Sequence, residues 1–161
     1  MTTEQESQFL RFGCTPRCLI KLTEKIQKPV SRDEFCRRFA HCFHDPQTQY
    51  GLLNPDCIPE IARSLSLPST GPQSSPTKLV PLEDYDKVAI LHSGGALVLI
   101  ASNINLNEGA TDPLGHCSVL DKIDTQTFTL WTPAQDGKDY VLPPFSIEQW
   151  AIKQCKGMVF V

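Results

Sequence analysis

The spacing of apolar residues changes along the chain, from a helical period in the N-terminal part to an extended pattern after Gly94 and Gly95. Apolar positions three and four apart predict helices, whereas alternating or short continuous apolar runs predict strands. We expect helices at residues 14–27, 31–43, 58–65 and 82–91, with a strand over 87–92 as the alternative for the last. We expect strands at residues 96–101, 116–123, 126–131 and 156–161, with a short helix over 146–152. Helices followed by strands are typical of an α+β domain whose sheet is antiparallel.

The length and composition of the chain predict one globular domain over residues 1–161. A chain of 161 residues can bury a substantial core, and its 40% hydrophobic and 20% charged residues are ordinary values for a globular protein. Residues 66–77 are rich in Ser, Pro and Gly. We interpret them as an exposed loop rather than a linker, because the segment that follows could not fold alone.

The charge distribution and hydropathy argue against two classes of partner. The formal net charge is −3, and the densest basic segment, with Arg32, Arg37 and Arg38, is interrupted by Asp33 and Glu34. This pattern is typical of the solvated side of a helix, whereas a nucleic-acid partner usually requires a clustered basic face. The longest apolar run, residues 96–101, is too short to span a membrane. We therefore expect neither a nucleic-acid partner nor a membrane span.

The cysteine content and the N-terminal segment predict the cellular compartment. Seven cysteines are spread without a regular framework, which favours free thiols in a reducing compartment. The first residues have neither the basic nor the apolar region of a signal peptide. We expect a cytoplasmic protein, or one secreted by a route that needs no signal peptide.

The segment around Cys14 carries the strongest chemical signal. Cys14 lies between Gly13 and Pro16, and proline is tolerated in the first turn of a helix, so a helix is expected to begin near Cys14. Unpaired backbone N–H groups and the helix dipole at such a terminus favour the thiolate, which is the reactive nucleophile. Gln8 lies six residues earlier, where its side chain could stabilise an oxyanion. The alternative for Gln8 is a polar residue in a partly frayed N-terminal segment.

These residues occur with a second motif, which begins at Gly115 and His116 and continues with Val119 and Leu120. Together they resemble the papain-like cysteine peptidases, most closely the C39-like bacterial branch, in the chain order Gln, Cys, His. The resemblance covers roughly residues 6–161 and implies a two-lobe papain-like fold. It further implies that Cys14 is the nucleophile, His116 the general base and Gln8 an oxyanion donor.

Thr132 is where the chain departs from this pattern. It lies sixteen residues after His116, at the position where the resembled family has an Asp or Asn that orients the base. A threonine hydroxyl can orient an imidazole but supplies no charge. Asp121, Asp124 and Asp136 are possible substitutes, and of these Asp136, in the turn that follows, is the best placed. Asp121 lies five residues along the same strand as His116 and should face the opposite side. Asp136 also has the ordinary interpretation of a turn-forming aspartate.

The resemblance predicts a cysteine hydrolase that cleaves a peptide or isopeptide bond through a thioester on Cys14. The same chemistry would hydrolyse a glutamine side-chain amide, so a protein glutamine deamidase is an alternative. A second alternative is a catalytically silent domain that only binds a peptide. The expected partner is a peptide or protein substrate, and we expect no cofactor.

The remaining cysteines suggest two other possibilities, neither of which the spacing favours. Cys18 lies one helical turn after Cys14 and is expected to pack in the core rather than form a redox pair. A second cluster contains His and Cys side chains at Cys36, His41, Cys42, His44 and Cys57. Residues 42–44 are consecutive and cannot all face one ion, and the short paired spacings of structural zinc sites are missing. The sequence therefore predicts no metal site.

Overall fold

The computed structural model describes residues 2–44, 52–67, 80–81, 97–102, 116–124, 126–134, 136–146 and 156–160. The N-terminal part is helical. Its α-helices are α1 (Thr3–Phe12), α2 (Cys14–Lys25), α3 (Arg32–Arg38) and α4 (Ile58–Ser64). Two short 3-10 helices, Ala40–Cys42 and Pro55–Cys57, follow α3 and precede α4.

The strands form one antiparallel sheet. They are β1 (Val80–Pro81), β2 (Leu97–Ser102), β3 (His116–Ile123), β4 (Thr127–Pro133), β5 (Asp139–Val141), β6 (Phe145–Ser146) and β7 (Lys156–Phe160). The strand order is β1-β7-β2-β3-β4-β5, and β6 also pairs with β4. The expected α+β class is confirmed, and β2 has the central position in the sheet that its continuous apolar run predicted.

Several predicted elements differ from the observed ones. The helix expected over 31–43 ends at Arg38, and a 3-10 helix replaces its last turn. Ser31 caps α3 by accepting a hydrogen bond from the Glu34 N–H, as its position predicted. The helix expected over 146–152 is wrong at its first residue, because Ser146 ends β6. The rest of that helix and the predicted helix over 82–91 lie outside the described residues.

Gly13 joins the first two helices. Its N–H donates to the Phe9 carbonyl at 2.9 Å and so ends α1, while Gly13 is also the N-cap of α2. A Cβ at this position would lie 2.2 Å from the Phe9 oxygen, which is far inside van der Waals contact. The close approach of the two helices therefore requires glycine immediately before Cys14.

The core between α2 and the sheet fixes the position of Cys14, the first residue of α2. Cys18, Leu19 and Leu22 recur at helical spacing and are fully buried, and they pack with residues of β3 and β4 such as Val119 and Trp131. Burying such side chains stabilises a fold by about 1.5–3 kcal/mol each. This contact fixes α2 across the sheet, so the position of its first residue is also fixed.

Arg17 links three parts of the chain with one guanidinium group. It donates to the carbonyls of Leu10 at 3.3 Å, Ala134 at 2.7 Å and Lys138 at 3.1 Å, and to the Asp139 carboxylate at 2.8 Å. Its side chain is only 10% exposed. Arg17 therefore holds the end of α1 and the turn between β4 and β5 against α2.

We expect Arg17→Lys to lower the free energy of unfolding by about 1.5–3 kcal/mol, because a lysine cannot reproduce the fork that satisfies these carbonyls. Urea unfolding followed by circular dichroism measures this difference. Glu24→Gln is the matched control, since it removes an exposed ion pair with Lys21 and should cost less than about 1 kcal/mol. Equal losses in the two variants would show that Arg17 is not a structural link.

The longest helix in the described part of the chain, α2, has 12 residues. A helix needs about 20 apolar residues to cross a bilayer. No helix among the described residues therefore qualifies as a membrane span.

Candidate active site

Cys14 is the first residue of α2, as its position before Pro16 predicted. The N–H groups at a helix N-terminus have no partner within the helix. Here the Gly13 N–H bonds to Phe9, the Thr15 N–H faces the Cys14 sulfur, and Pro16 has no N–H. Within the described residues the Cys14 N–H is thus the group left available to a ligand.

The Cys14 sulfur lies against the start of β3. The backbone N–H of Cys117 faces it, and the Thr15 hydroxyl lies 4.0 Å from it. His116 immediately precedes Cys117, opens β3 and pairs with Ser102 of β2. The fold therefore brings together the backbone segments of the two predicted motifs, which lie about a hundred residues apart. Of His116 the structure describes the backbone only, so the position of its imidazole stays a prediction.

The sequence predicted that the helix N-terminus favours the thiolate form of Cys14, but burial outweighs this effect in the structure. Burial, and to a smaller extent the neighbouring Cys117 side chain, raises the pKa of the Cys14 thiol to about 11. Hydrogen bonds from the Cys117 and Thr15 N–H groups and from the Thr15 hydroxyl act in the opposite direction but do not outweigh burial. At neutral pH Cys14 is a thiol, so its reaction as a nucleophile requires a base.

This pKa predicts a pH dependence of stability. The Cys14 pKa is 9.0 in its ordinary state and about 11 when folded, so its contribution to stability is complete below pH 9 and is lost as the pH rises through 11. The free energy of unfolding should fall more steeply between these pH values in the wild type than in Cys14→Ser, which has no titrating group. Urea unfolding at a series of pH values measures both curves. Parallel curves would contradict the raised pKa.

Cys18 packs in the core, as its position predicted. It is fully buried in one cluster with Cys117, and burial raises the pKa of its thiol well above the ordinary value. A neutral, buried thiol is chemically inert. Cys18 therefore supports the position of β3 against α2.

Gln8 lies in the second half of α1 and is partly buried. The alternative of a frayed N-terminal segment is wrong, because Thr2 and Gln5 form a complete capping box at 2.9 and 3.2 Å. The Gln8 side chain makes no hydrogen bond to any other residue in the described ranges. Within the described part of the chain its amide is thus unengaged, on the helix that ends two residues before Cys14.

Thr132 is in β4 and is only 1% exposed. β3 and β4 pair with Val119 opposite Trp131, and continuing this register places Thr132 opposite Ser118. Thr132 is therefore two register positions from His116, in the neighbouring strand. The Ser118 hydroxyl is buried and has no partner among the described residues.

None of the three aspartates is placed well to replace Thr132. Asp121 and Asp124 lie five and eight residues beyond His116, which is about 16 Å or more along a strand. Asp124 caps its own turn, accepting from the N–H groups of Gln126 and Thr127 at 2.7 Å. Asp136 is exposed, and its carboxylate accepts from the Lys138 N–H at 2.9 Å and the Tyr140 hydroxyl at 2.8 Å. The turn-forming interpretation of Asp136 is confirmed.

His44 is a residue that the sequence did not connect with Cys14. Its N–H donates to the Leu52 carbonyl at 3.1 Å, and the Leu52 N–H donates to the Phe12 carbonyl at 3.3 Å, two residues before Cys14. The His44 Nε2 atom is buried and has no partner among the described residues. Nothing in the sequence indicates that His44 lies near the end of α1, because backbone hydrogen bonds through Leu52 create this contact.

A shallow groove of about 200 Å³ lies between α1, α2 and the β4–β5 hairpin. Its wall includes Phe9, Arg17, Lys21 and Trp131, but Cys14 is not part of the described wall. Lys21 lies over the Trp131 ring at 5.4 Å from its centroid. The groove is therefore separate from the candidate nucleophile.

A second cluster of reactive side chains lies at the 3-10 helices. His41 Nε2 is 2.9 Å from the Glu60 carboxylate, and the ligand atoms of His41, Cys42 and Glu60 lie within 4.8 Å of one another. Burial raises the pKa of the Cys42 thiol, and the neighbouring Cys57 contributes to the shift. This cluster is far from the predicted nucleophile in sequence.

Comparisons of the chain with protein-family models, with curated proteins and with solved structures find no match. The relation to papain-like peptidases therefore stays a prediction from the two motifs. What the geometry adds is the contact between Cys14 and the start of β3.

Proposed function

We propose that the chain is a papain-like cysteine hydrolase of the C39-like type, acting on a peptide or isopeptide bond. The observation that carries this proposal is the packing of Cys14 against the start of β3, where Cys117 directly follows His116. Nucleophilic catalysis requires a base within hydrogen-bond reach of the thiol, and in this proposal His116, which opens the strand beside Cys14, is that base. The unpaired Cys14 N–H provides one donor for an oxyanion.

The reaction begins with transfer of the Cys14 proton to the His116 imidazole as the sulfur attacks the carbonyl carbon of the substrate. The oxyanion that forms accepts hydrogen bonds from the Cys14 N–H and from the Gln8 side-chain amide. His116 then donates its proton to the leaving amine, and a thioester with Cys14 results. Water, deprotonated by His116, attacks the thioester and releases the carboxylic acid and the thiol.

The raised pKa of Cys14 makes the base essential for this reaction. At pH 7 a thiol with a pKa of about 11 is almost entirely protonated, so attack requires removal of the proton at the same time. Thr132 would assist by accepting a hydrogen bond from His116, without supplying charge. The proposed enzyme is therefore slower than one with an aspartate at position 132.

A catalytically silent peptide-binding domain is the second candidate function. Two observations favour it: burial raises the pKa of Cys14, and the buried residue at the third catalytic position is Thr132. A glutamine deamidase would use the same thioester and differ from a peptidase only in which amide reaches Cys14. The silent domain would bind peptides without changing them, whereas either hydrolase would alter their covalent structure.

Incubation with a diverse library of synthetic peptides, followed by mass spectrometry, distinguishes these functions. New peptide termini that appear with the wild type and not with Cys14→Ala would support the peptidase. Conversion of glutamine to glutamate, again dependent on Cys14, would support the deamidase. A library left unchanged by the wild type would contradict both hydrolases and favour the silent domain. Cys36→Ser, which removes a different partly buried thiol, is the matched control.

A further inference from the structure

The two 3-10 helices are held side by side by backbone hydrogen bonds. The Asn54 N–H donates to the Cys42 carbonyl at 2.9 Å, and Phe43 forms an isolated antiparallel bridge with Leu53. The Cys57 N–H in turn bonds to the Asn54 carbonyl at 3.0 Å. The backbone thus fixes the end of one 3-10 helix beside the start of the other.

This pairing brings together four side chains that are typical metal ligands. His41 and Cys42 come from the first 3-10 helix, Cys57 from the second, and Glu60 from the first turn of α4. The ligand atoms of His41, Cys42 and Glu60 lie within 4.8 Å of one another, and Cys57 packs against the same buried cluster, close enough to Cys42 to affect its pKa. His41 and Glu60 are already in contact at 2.9 Å.

The donor set matches the preferences of zinc. One imidazole nitrogen, two thiolate sulfurs and one carboxylate oxygen are all common zinc ligands, and four protein ligands correspond to a closed, tetrahedral structural site. Magnesium and calcium prefer oxygen ligands, so the two thiols argue against them. We propose that His41, Cys42, Cys57 and Glu60 bind one zinc ion.

The proposed site departs from the sequence-based prediction of no metal for a specific reason. That prediction considered residues 42–44 as competing ligands and did not include Glu60. In the structure only Cys42 of those three belongs to the cluster, and Glu60 adds a ligand that the sequence-based prediction did not consider. The signal available in the sequence was the three-residue spacing between Cys57 and Glu60, which places both on one face of a helical turn.

The proposed ligands differ in exposure, as expected for a structural metal site near the protein surface. Cys42 is 1% exposed, whereas the side chains of His41 and Glu60 are 59% and 54% exposed. A zinc ion would enter from the solvent side, next to His41 and Glu60, and bind to the thiols on the protein side. It would join the 3-10 helices to α4 and so stabilise the helical part of the fold.

Isothermal titration of the full chain with zinc chloride tests the proposal, after reduction of all thiols and removal of bound metal with a chelator. We expect one zinc ion per chain and a higher melting temperature with the ion bound. Cobalt(II) should give the intense absorption of tetrahedral thiolate coordination. No binding, or cobalt bound without a thiolate spectrum, would overturn the proposal.

Variants test the identity of the ligands. His41→Ala and Glu60→Gln change exposed side chains, so both proteins should fold. Each should weaken zinc binding by more than the roughly 10- to 100-fold that loss of an outer-shell partner costs. Cys57→Ser should do the same and weaken the cobalt–thiolate absorption without removing it, because Cys42 remains a ligand. The control Cys36→Ser should bind like the wild type. Unchanged binding in Glu60→Gln and Cys57→Ser would overturn the assignment, as would a Cys42–Cys57 disulfide that persists under reducing conditions.

Discussion

Cys14→Ala should remove hydrolysis of any peptide that the wild type cleaves, lowering kcat by a factor on the order of 10⁴ to 10⁶. The reason is that the thioester cannot form without the sulfur. His116→Ala should cause a loss of similar size, because burial keeps Cys14 protonated at neutral pH and no other group is expected to take its proton. The double variant should lose little more than either single variant, since the two side chains act as one unit. Initial rates on the most rapidly cleaved library peptide measure these effects.

Gln8 gives a graded test of the same reaction. Gln8→Ala should lower kcat by about 10²- to 10³-fold, the usual cost of one lost oxyanion donor, with little change in KM. Cys36→Ser should leave kcat unchanged, because this thiol lies in α3 and outside the site. A Gln8→Ala variant that keeps wild-type kcat would remove Gln8 from the oxyanion site. A Cys14→Ala variant that keeps activity would refute the proposed function altogether.

Gly13→Ala should destabilise the fold by roughly 3 kcal/mol, at the upper end of the usual cost of overpacking. The new Cβ would lie 2.2 Å from the Phe9 carbonyl oxygen, and both atoms belong to backbone that cannot move without separating α1 from α2. Urea unfolding measures the change in free energy. In the folded fraction, the alkylation rate of Cys14 should also change, because the variant displaces the first turn of α2.

Gly137→Ala is a useful comparison for Gly13→Ala. Gly137 has a φ of +82°, and an added Cβ would meet only the flexible end of the Leu10 side chain at 3.3 Å. Gly137→Ala should therefore lower the free energy of unfolding by roughly 1–2 kcal/mol, the usual cost of placing a residue with a Cβ in the left-handed conformation. If Gly137→Ala cost as much as Gly13→Ala, the close approach of α1 and α2 would not be the dominant constraint at Gly13.

The parts of the fold that the sequence predicted are those set by strong local patterns. The strand at residues 116–123 matches its prediction, because apolar spacing and the turn at Asp124 both mark its limits. The start of α2 was predictable from Gly13 and Pro16. The helix α1 was missed, since its stability depends on the capping pair of Thr2 and Gln5 and on the single buried Phe9.

The chemistry of the site was predicted less well than its position. The sequence placed Cys14 at a helix N-terminus, and the dipole there suggested a lowered pKa. The degree of burial decides the sign of the shift, and burial depends on packing against Cys117, which only the tertiary structure provides. The proximity of Cys42, Cys57 and Glu60 was missed for the same reason, because backbone pairing of distant segments creates it.

The rate at which iodoacetamide modifies Cys14 at pH 7, in the wild type and in His116→Ala, tests the central pairing most directly. Peptide mass spectrometry follows each cysteine separately, with Cys36 as the internal reference. His44→Gln is the matched control, because this buried histidine lies near the end of α1. If His116 is the base for Cys14, His116→Ala should slow modification of Cys14 by at least about tenfold, whereas His44→Gln should leave the rate unchanged. General-base catalysis usually contributes about 10²- to 10⁴-fold, so tenfold is a conservative threshold. An unchanged rate in His116→Ala, or a loss confined to His44→Gln, would contradict the account.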